Sequence, residues 1–258
     1  MYRVILKAFS EVAEKAGLLN SSVKCVVLKP DFTRLPSREY ALAKGREVIV
    51  HCEIEGGYGQ AFTSRPKEFS GKVKDVLNMV YGNEGDRAVF FATLNAVLHK
   101  LKHIKGTIHC MEKEPEICGE EFASYLMSKF GRVKVAHIGY QPGHVKALVK
   151  HFGAENVYVT DLNPENIGCI KFGVKILSGF TNSEVLKKAD VACITGSAAV
   201  NGTLPELLNL CEKYDIKPVL YGVTGKGIAK ILDLDIFCPY GHDHLKCKFN
   251  FTINKVIY

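Results

Sequence analysis

Three stretches of the sequence combine small, hydroxyl and amide residues in the way a polar-ligand site needs. The first is Ile138-Gly-Tyr-Gln-Pro-Gly143. Gly139 can make a tight turn after a strand, Pro142 suits the first turn of a helix, and the exposed amides between them and Gly143 can hold an anion. The same residues also serve as a plain strand-to-helix turn. They lack the second and third glycines of the dinucleotide fingerprint. The second stretch is Thr160-Asp-Leu-Asn-Pro-Glu165. Asp161 follows Gly139 by about 20 positions, the spacing at which an acidic side chain meets a ribose hydroxyl. Asp161 or Asn163 could equally cap a helix opening around Pro164.

The third stretch, Asp190-Val-Ala-Cys-Ile-Thr-Gly-Ser-Ala-Ala-Val-Asn-Gly-Thr203, is the richest. An apolar strand runs into Thr195, Ser197, Asn201 and Thr203, which offer donors and acceptors. Gly196 and Gly202 allow a ligand to approach the backbone closely. A buried strand end needs no such set for packing, and the alternative is a capped loop with Thr203 at the helix N-cap.

Soft-metal chemistry has two candidate groups. His109-Cys110 with Cys118 is one, and the tail set Cys238, His242, His244 and Cys247 is the other. Mixed thiolate and imidazole ligands suit zinc or ferrous iron, although neither set has a named zinc spacing. Isolated cysteines are also common as small buried hydrophobes. The Thr, Asn, Gln and amide groups of the three loops favour an anionic or hydroxyl-rich organic ligand over a bare ion. The chain contains no Ser-His-Asp order, HExxH helix, CxxC pair or Walker loop. Gly222-Val-Thr-Gly-Lys-Gly227 is glycine-rich but lacks the phosphate-loop spacing and reads as a turn.

These stretches need elements to position them. Ile5, Phe9, Val12, Ala16 and Leu19 follow helical spacing. Val23–Leu28, Glu47–Ile54 and Gln60–Ser64 read as strands, the last two joined by the glycine-rich Glu55–Gly59. Helices are expected near Lys72–Met79 and over Asp86–Leu101, the latter with Val89, Leu94, Val97, Leu98 and Leu101 on one side. Lys105–Gly119 breaks the pattern, with a helix beginning near Gly119. Strands at Val133–Ile138, Asn156–Thr160, Asp190–Thr195 and Pro218–Tyr221 then alternate with helices at Gly143–Phe152, Ser183–Ala189 and Leu204–Tyr214. Apolar strands separated by helices indicate a parallel sheet covered on both faces. The tail from Cys247 alternates like one last strand. The expected division is an α+β domain over 1–106 and a Rossmann-like domain over 107–258.

Composition bounds the partners. With 258 residues, 47% hydrophobic and 24% charged, the chain can bury a core without staples. The formal charge of +7 is spread without a like-charge block, so no nucleic-acid partner is expected; the sharper reading of the surplus is a cleft for anions. No apolar run is long enough to span a membrane, and charges interrupt any signal-peptide core at the N-terminus. The nine cysteines then read as reduced thiols of a cytoplasmic protein.

The order Ile138–Gly143, Asp161, Thr195–Thr203 resembles the heavy-metal chelation domain family. Ala61-Phe-Thr63 and Gly85-Asp-Arg-Ala-Val-Phe-Phe-Ala-Thr-Leu-Asn-Ala96 resemble that family's N-terminal signature. The resemblance implies an enolase-N-terminal-like domain followed by a Rossmann-like domain, with a site in the cleft between them. Gly139, Tyr140, Gln141, Pro142, Asp161, Thr195, Gly196, Asn201 and Thr203 would line one wall, with Thr63 and Asn95 facing them. The functional expectation is a protein that binds a small anionic or metal-chelating ligand in this cleft, in heavy-metal handling or metallocofactor metabolism. A homodimer is its expected assembly. The alternatives are a nucleotide- or S-adenosylmethionine-dependent enzyme, and a metal-sensing module built on His109, Cys110 and Cys118.

Overall fold

A computed structural model describes residues 1–28, 37, 39–42 and 47–245. It is a mixed α/β structure with two sheets. Helix α1 (Tyr2–Lys15) leads into strands β1 (Ser22–Leu28), β2 (Val48–Ile54), β3 (Gly57–Thr63) and β4 (Phe69–Lys72). These form an antiparallel sheet in the order β3-β2-β1-β4. The buried side of α1 is Ile5, Phe9 and Ala13, followed by Leu18; Ala16 is exposed, so the apolar stripe turns earlier than its spacing suggests. The β2–β3 turn is only Glu55-Gly56, both with positive φ, as a two-residue hairpin demands. The other glycines of that stretch have a different use. A Cβ on Gly59 would lie 2.2 Å from the Ala92 carbonyl and one on Gly57 2.5 Å from that of Ala96, so both are needed for a helix to lie directly on β3.

That helix is α3 (Glu84–Lys100), reached through a short α2 (Val73–Val76) and a 3-10 turn (Leu77–Tyr81). Asn83 and Asp86 cap its start reciprocally. Residues Ala88 to Leu98 are all buried, so α3 is a central helix packed on every side rather than one with a single apolar face. Cys25 and Cys52 stand directly opposite each other on β1 and β2 beneath it and are joined as a disulfide, which corrects the expectation of nine free thiols. The antiparallel register, which puts the two Cα atoms 4.0 Å apart, makes the pairing possible.

Helix α4 spans Glu114–Phe130 and begins earlier than Gly119. Pro115, a breaker inside a helix, here sits in the first turn, where its missing N–H costs nothing. Then follow β5 (Val135–Ile138), α5 (Pro142–Phe152), β6 (Val157–Asp161), β7 (Ile170–Lys171), β8 (Val174–Ser178), α6 (Asn182–Leu186), β9 (Val191–Thr195), α7 (Ser197–Asn201), α8 (Leu204–Lys213), β10 (Lys217–Tyr221), α9 (Lys226–Leu232) and β11 (Asp235–Phe237). No helix opens at Pro164; residues 164–168 form a turn. The β7–β8 hairpin, α7, α9 and β11 are too short for periodicity to announce them. The expected final strand from Cys247 lies outside the described residues.

The seven-stranded sheet runs β11-β10-β9-β5-β6-β8-β7 and is parallel except for β7. Its strands alternate between two cores. Val135, Val159, Cys193 and Val219 pack under Phe122, Leu126 and Leu148 on one face. Ala136, Ile194 and Leu220 face the other way, into a cluster that also contains Ile5, Phe9, Phe90 and Leu94. The two sheets therefore share one apolar interior. Sequence order reverses between β5 and β9, the position at which an open parallel sheet leaves a crevice beyond its strand ends.

Candidate functional site

A cavity of about 520 Å³ occupies this crevice. Gly139, Tyr140, Gln141 and Pro142 reach it from the end of β5 and Asp161 from the end of β6. Thr195, Gly196, Ser197, Asn201 and Thr203 come from β9 and beyond, and Thr63 from β3. Gly143, Gly202 and Asn95 are not among the lining residues. Asn95 is fully buried as a strut. Its amide donates to the carbonyls of Gln60 and Val223, both at 3.1 Å, and its oxygen accepts from Gly227 N at 2.8 Å. It ties β3 to the β10–α9 connection, so its place on an apolar helix is explained by backbone satisfaction. Gly143 instead lies against α4, where a Cβ would come 2.6 Å from the Pro115 carbonyl.

The β5 loop is shaped by Gly139, whose φ of +91° excludes other residues; a Cβ there would also press on Thr195 and the Tyr221 hydroxyl at 2.9 Å. Gln141 caps α5 by accepting from the His144 amide. Asp161 is a loop organiser. One oxygen accepts from Tyr140 N and the other from Asn163 N, each at 2.6 Å, so it joins the β5 and β6 ends. Thr203 stands at the α8 N-cap, but its hydroxyl donates to Asn201 at 2.8 Å and not to the helix.

Two carboxylates from the first half face Asp161 in the cavity wall. Glu84, at the start of α3, accepts from the Thr63 hydroxyl at 2.8 Å and from Ser64 N at 2.9 Å. Burial raises its pKa, but these bonds outweigh burial and hold it below the usual carboxylate range. Glu47, just before β2, has no hydrogen-bond partner among the described residues and is half-buried. Burial, then the charges of Asp161 and Glu84, push its carboxyl up to about 7. Nothing in the spacing around Glu47 announces it; only the fold brings it opposite Asp161. No lysine or arginine is found among the described lining residues.

Thiols and imidazoles make up another part of the wall. His109, Cys110 and Cys118 all line the cavity, together with Cys238 and His144. The boundary segment and the tail are stitched by a two-bond bridge, Ile108 N to His242 O at 2.9 Å and His242 N to Ile108 O at 2.8 Å. That bridge brings Cys238 near Cys110 and Cys118, so members of both cysteine sets meet. Burial favours the uncharged forms of Cys110, Cys118 and His109. Burial lifts the Cys110 thiol far above its ordinary value and that of Cys118 to about 12. Burial also lowers His109 to about 4. Gln60 accepts from both the backbone and the Nδ1 of His109 at 2.9 Å, and its own amide meets His51 Nδ1 at 3.3 Å. Cys118 Sγ lies 3.6 Å from His144 Nε2, whose Nδ1 is 3.3 Å from His137 Nε2. His242 is paired with Glu114 at 2.8 Å and is not turned to the thiols as a ligand. Among the described residues no three His, Cys, Asp or Glu side chains are placed to hold a metal ion.

Tyr221 stands between the two groups. Its hydroxyl donates to the carbonyls of Ile138 and Gly139, at 3.0 and 2.8 Å, and its ring packs 5.0 Å from that of His144. Burial, and next the charge of Asp161, raise its pKa, so it remains a neutral phenol.

Residues 122–233 match the model of the DUF364 family, described as "Putative heavy-metal chelation". A solved structure of a DUF364 protein of unknown function from Pyrococcus horikoshii is similar with a TM-score of 0.53 and 20% identity, over 90% of this chain and 82% of that one. Another DUF364 protein of unknown function, from Desulfitobacterium hafniense DCB-2, gives 0.51 and 15%, over 73% of this chain and 72% of that one. At these identities the likeness is one of fold. A comparison with curated proteins finds no match.

Proposed function

We propose that this cavity, a cleft between two domains, binds a small organic ligand of the metal-chelating kind, and that the chain acts in heavy-metal handling or metallocofactor metabolism. The observation that carries this reading is the lining itself. Hydroxyl, amide and carboxylate groups of Thr63, Asp161, Thr195, Asn201 and Thr203 surround a space large enough for a small molecule, beside buried thiols that favour soft metals. Because no three ligating side chains converge among the described residues, a metal would arrive inside an organic shell held by these polar groups rather than as a bare ion. The family description of residues 122–233 agrees with such a role. Of the two ligand charges expected from the sequence, the described wall supports the chelating ligand over a simple anion, since it presents three carboxylates and no lysine or arginine.

The test is anoxic purification followed by metal analysis and mass spectrometry of co-purifying organic molecules, with equilibrium dialysis of zinc, ferrous iron and nickel, each with and without citrate or histidine as chelator. A stoichiometric organic ligand, or saturable uptake of a chelate that is reduced about tenfold in Thr195→Ala and Asn201→Ala, is the expected result. No saturable uptake, or identical behaviour of both variants and the parent, overturns the reading. Stabilisation by nucleotides or S-adenosylmethionine alone in a thermal-shift screen would replace it with the nucleotide-dependent enzyme.

A further inference from the structure

We infer that the ligand of this cavity is an organic cation, a small molecule bearing a protonated amine, and that Glu47 releases its proton when that ligand binds. The inference deepens the proposed function and rests on its premise that the cavity holds a ligand. Three carboxylates, Glu47, Glu84 and Asp161, face the same space from three different elements: the start of β2, the start of α3 and the end of β6. Two of them are committed. Glu84 is fixed by Thr63 and Ser64, bonds that hold its carboxyl below the usual range, and Asp161 is fixed by the amides of Tyr140 and Asn163. Glu47 has no such partner among the described residues, and its carboxyl adjoins the open volume. The third neighbouring titratable group is the Tyr221 hydroxyl, which is neutral and occupied by two carbonyls.

A buried carboxyl next to two fixed negative charges keeps its proton until a positive charge arrives. Arg65 lies near Glu84 but outside the lining, no described lysine or arginine lines the cavity itself, and the wall's acidic groups therefore disfavour an anion and attract a cation. The cation favoured here is organic for two reasons. The volume of about 520 Å³ exceeds what a single ion needs, and among the described residues no three acidic side chains are placed to share one. An ammonium group needs only hydrogen-bond acceptors at mixed distances, which Glu47, Glu84 and Asp161 provide. On binding, the ammonium keeps its protons, the Glu47 O–H bond breaks, and that proton passes to solvent.

The experiment is calorimetric titration of the whole protein with butane-1,4-diammonium, and separately with Mn²⁺ and with inorganic phosphate. Each is run at pH 6 and pH 8 in two buffers of different ionisation enthalpy. With Glu47 near 7, affinity for the diammonium probe should rise about tenfold from pH 6 to pH 8, with close to one proton released per site at the lower pH. Glu47→Gln should flatten the pH dependence and abolish the release, and circular dichroism checks its folding. Glu84→Gln, which keeps an acceptor for Thr63, should weaken binding yet retain the release. The inference is overturned if the diammonium does not bind saturably at pH 8, if Mn²⁺ or phosphate binds more tightly, or if release persists in Glu47→Gln. A neutral or anionic molecule recovered from the purified protein would sink this inference and leave the proposed function standing.

Discussion

The carboxylate wall and the thiol–imidazole wall of the cavity solve the problem of buried polar groups in opposite ways. On the thiol side burial wins outright. Cys110 and Cys118 keep their protons and His109 and His137 stay neutral, with Gln60 accepting from His109 Nδ1 and His144 Nδ1 paired with His137 Nε2. On the acidic side backbone amides and hydroxyls satisfy the carboxylates of Glu84 and Asp161, and Glu47 is the one left without such partners among the described residues. The difference teaches where ligand charge is read. A neutral wall can select for size and softness, but only the charged wall can select for sign.

Acid should break this comparison most severely. His51, His109 and His137 are held neutral to about pH 4 and His144 lower still than its ordinary value, so their folded pKa values are depressed. The unfolded chain binds protons below about pH 6.5 that the folded chain refuses. The stability these groups allow is therefore complete above 6.5 and lost as pH falls towards 4, by up to about 1.4 kcal/mol per pH unit for each histidine. Urea unfolding between pH 7 and 5 measures this loss, and a flat profile would mean that water reaches the imidazoles. Next in size, Asn95→Ala should cost about 2–4 kcal/mol, because it leaves Gly227 N and two carbonyls buried and unpaired. The urea midpoint reads it; a cost below about 0.5 kcal/mol would mean the strut is replaceable.

Glu47→Gln carries the opposite sign and sharpens the contrast. The folded pKa of Glu47 is raised, so the parent loses stability as pH climbs from 4.5 to about 7. The glutamine variant should be more stable than the parent by about 2 kcal/mol at pH 8 and indistinguishable from it near pH 4.5. Thermal denaturation at the two pH values compares them, and a destabilised variant at pH 8 would mean that the carboxylate has an unseen cation partner. The smallest effect is expected at Cys169→Ser, whose residue is partly exposed and whose side chain donates to the Glu165 carbonyl, a bond serine can keep; its unfolding free energy should stay within about 0.5 kcal/mol of the parent.

Much of the fold was legible wherever a strand was apolar and its loop polar. The three loops at the ends of β5, β6 and β9 were found because Gly139, Asp161 and the Thr195–Thr203 run sit at the strand ends of a parallel sheet, and such ends are where side chains are spared packing duty. Residues whose roles depend on a distant partner stayed hidden. Asn95 looked like a ligand contact because sequence does not show the backbone groups of Gln60, Val223 and Gly227 waiting for it. Glu47 carries no motif, and its character comes from Asp161 and Glu84. Gly57 and Gly59 read as a turn because the sequence does not reveal that α3 lies on β3. Cys25 and Cys52 passed as separate thiols because their pairing is a matter of strand register.

The bridge between Ile108 and His242 also bears on the order in which the molecule assembles. Contacts between segments so far apart along the chain carry a large loop-closure cost and are made late in folding. The carboxylate wall and His109, Cys110, Cys118 and His144 of the thiol wall all lie before β7, whereas Cys238 joins them only when the segment after β11 returns beside the start of α4. During synthesis, Cys238 is therefore the last residue of either wall to be made. The pair of backbone hydrogen bonds between Ile108 and His242 then fastens that last-made segment to the start of the second half.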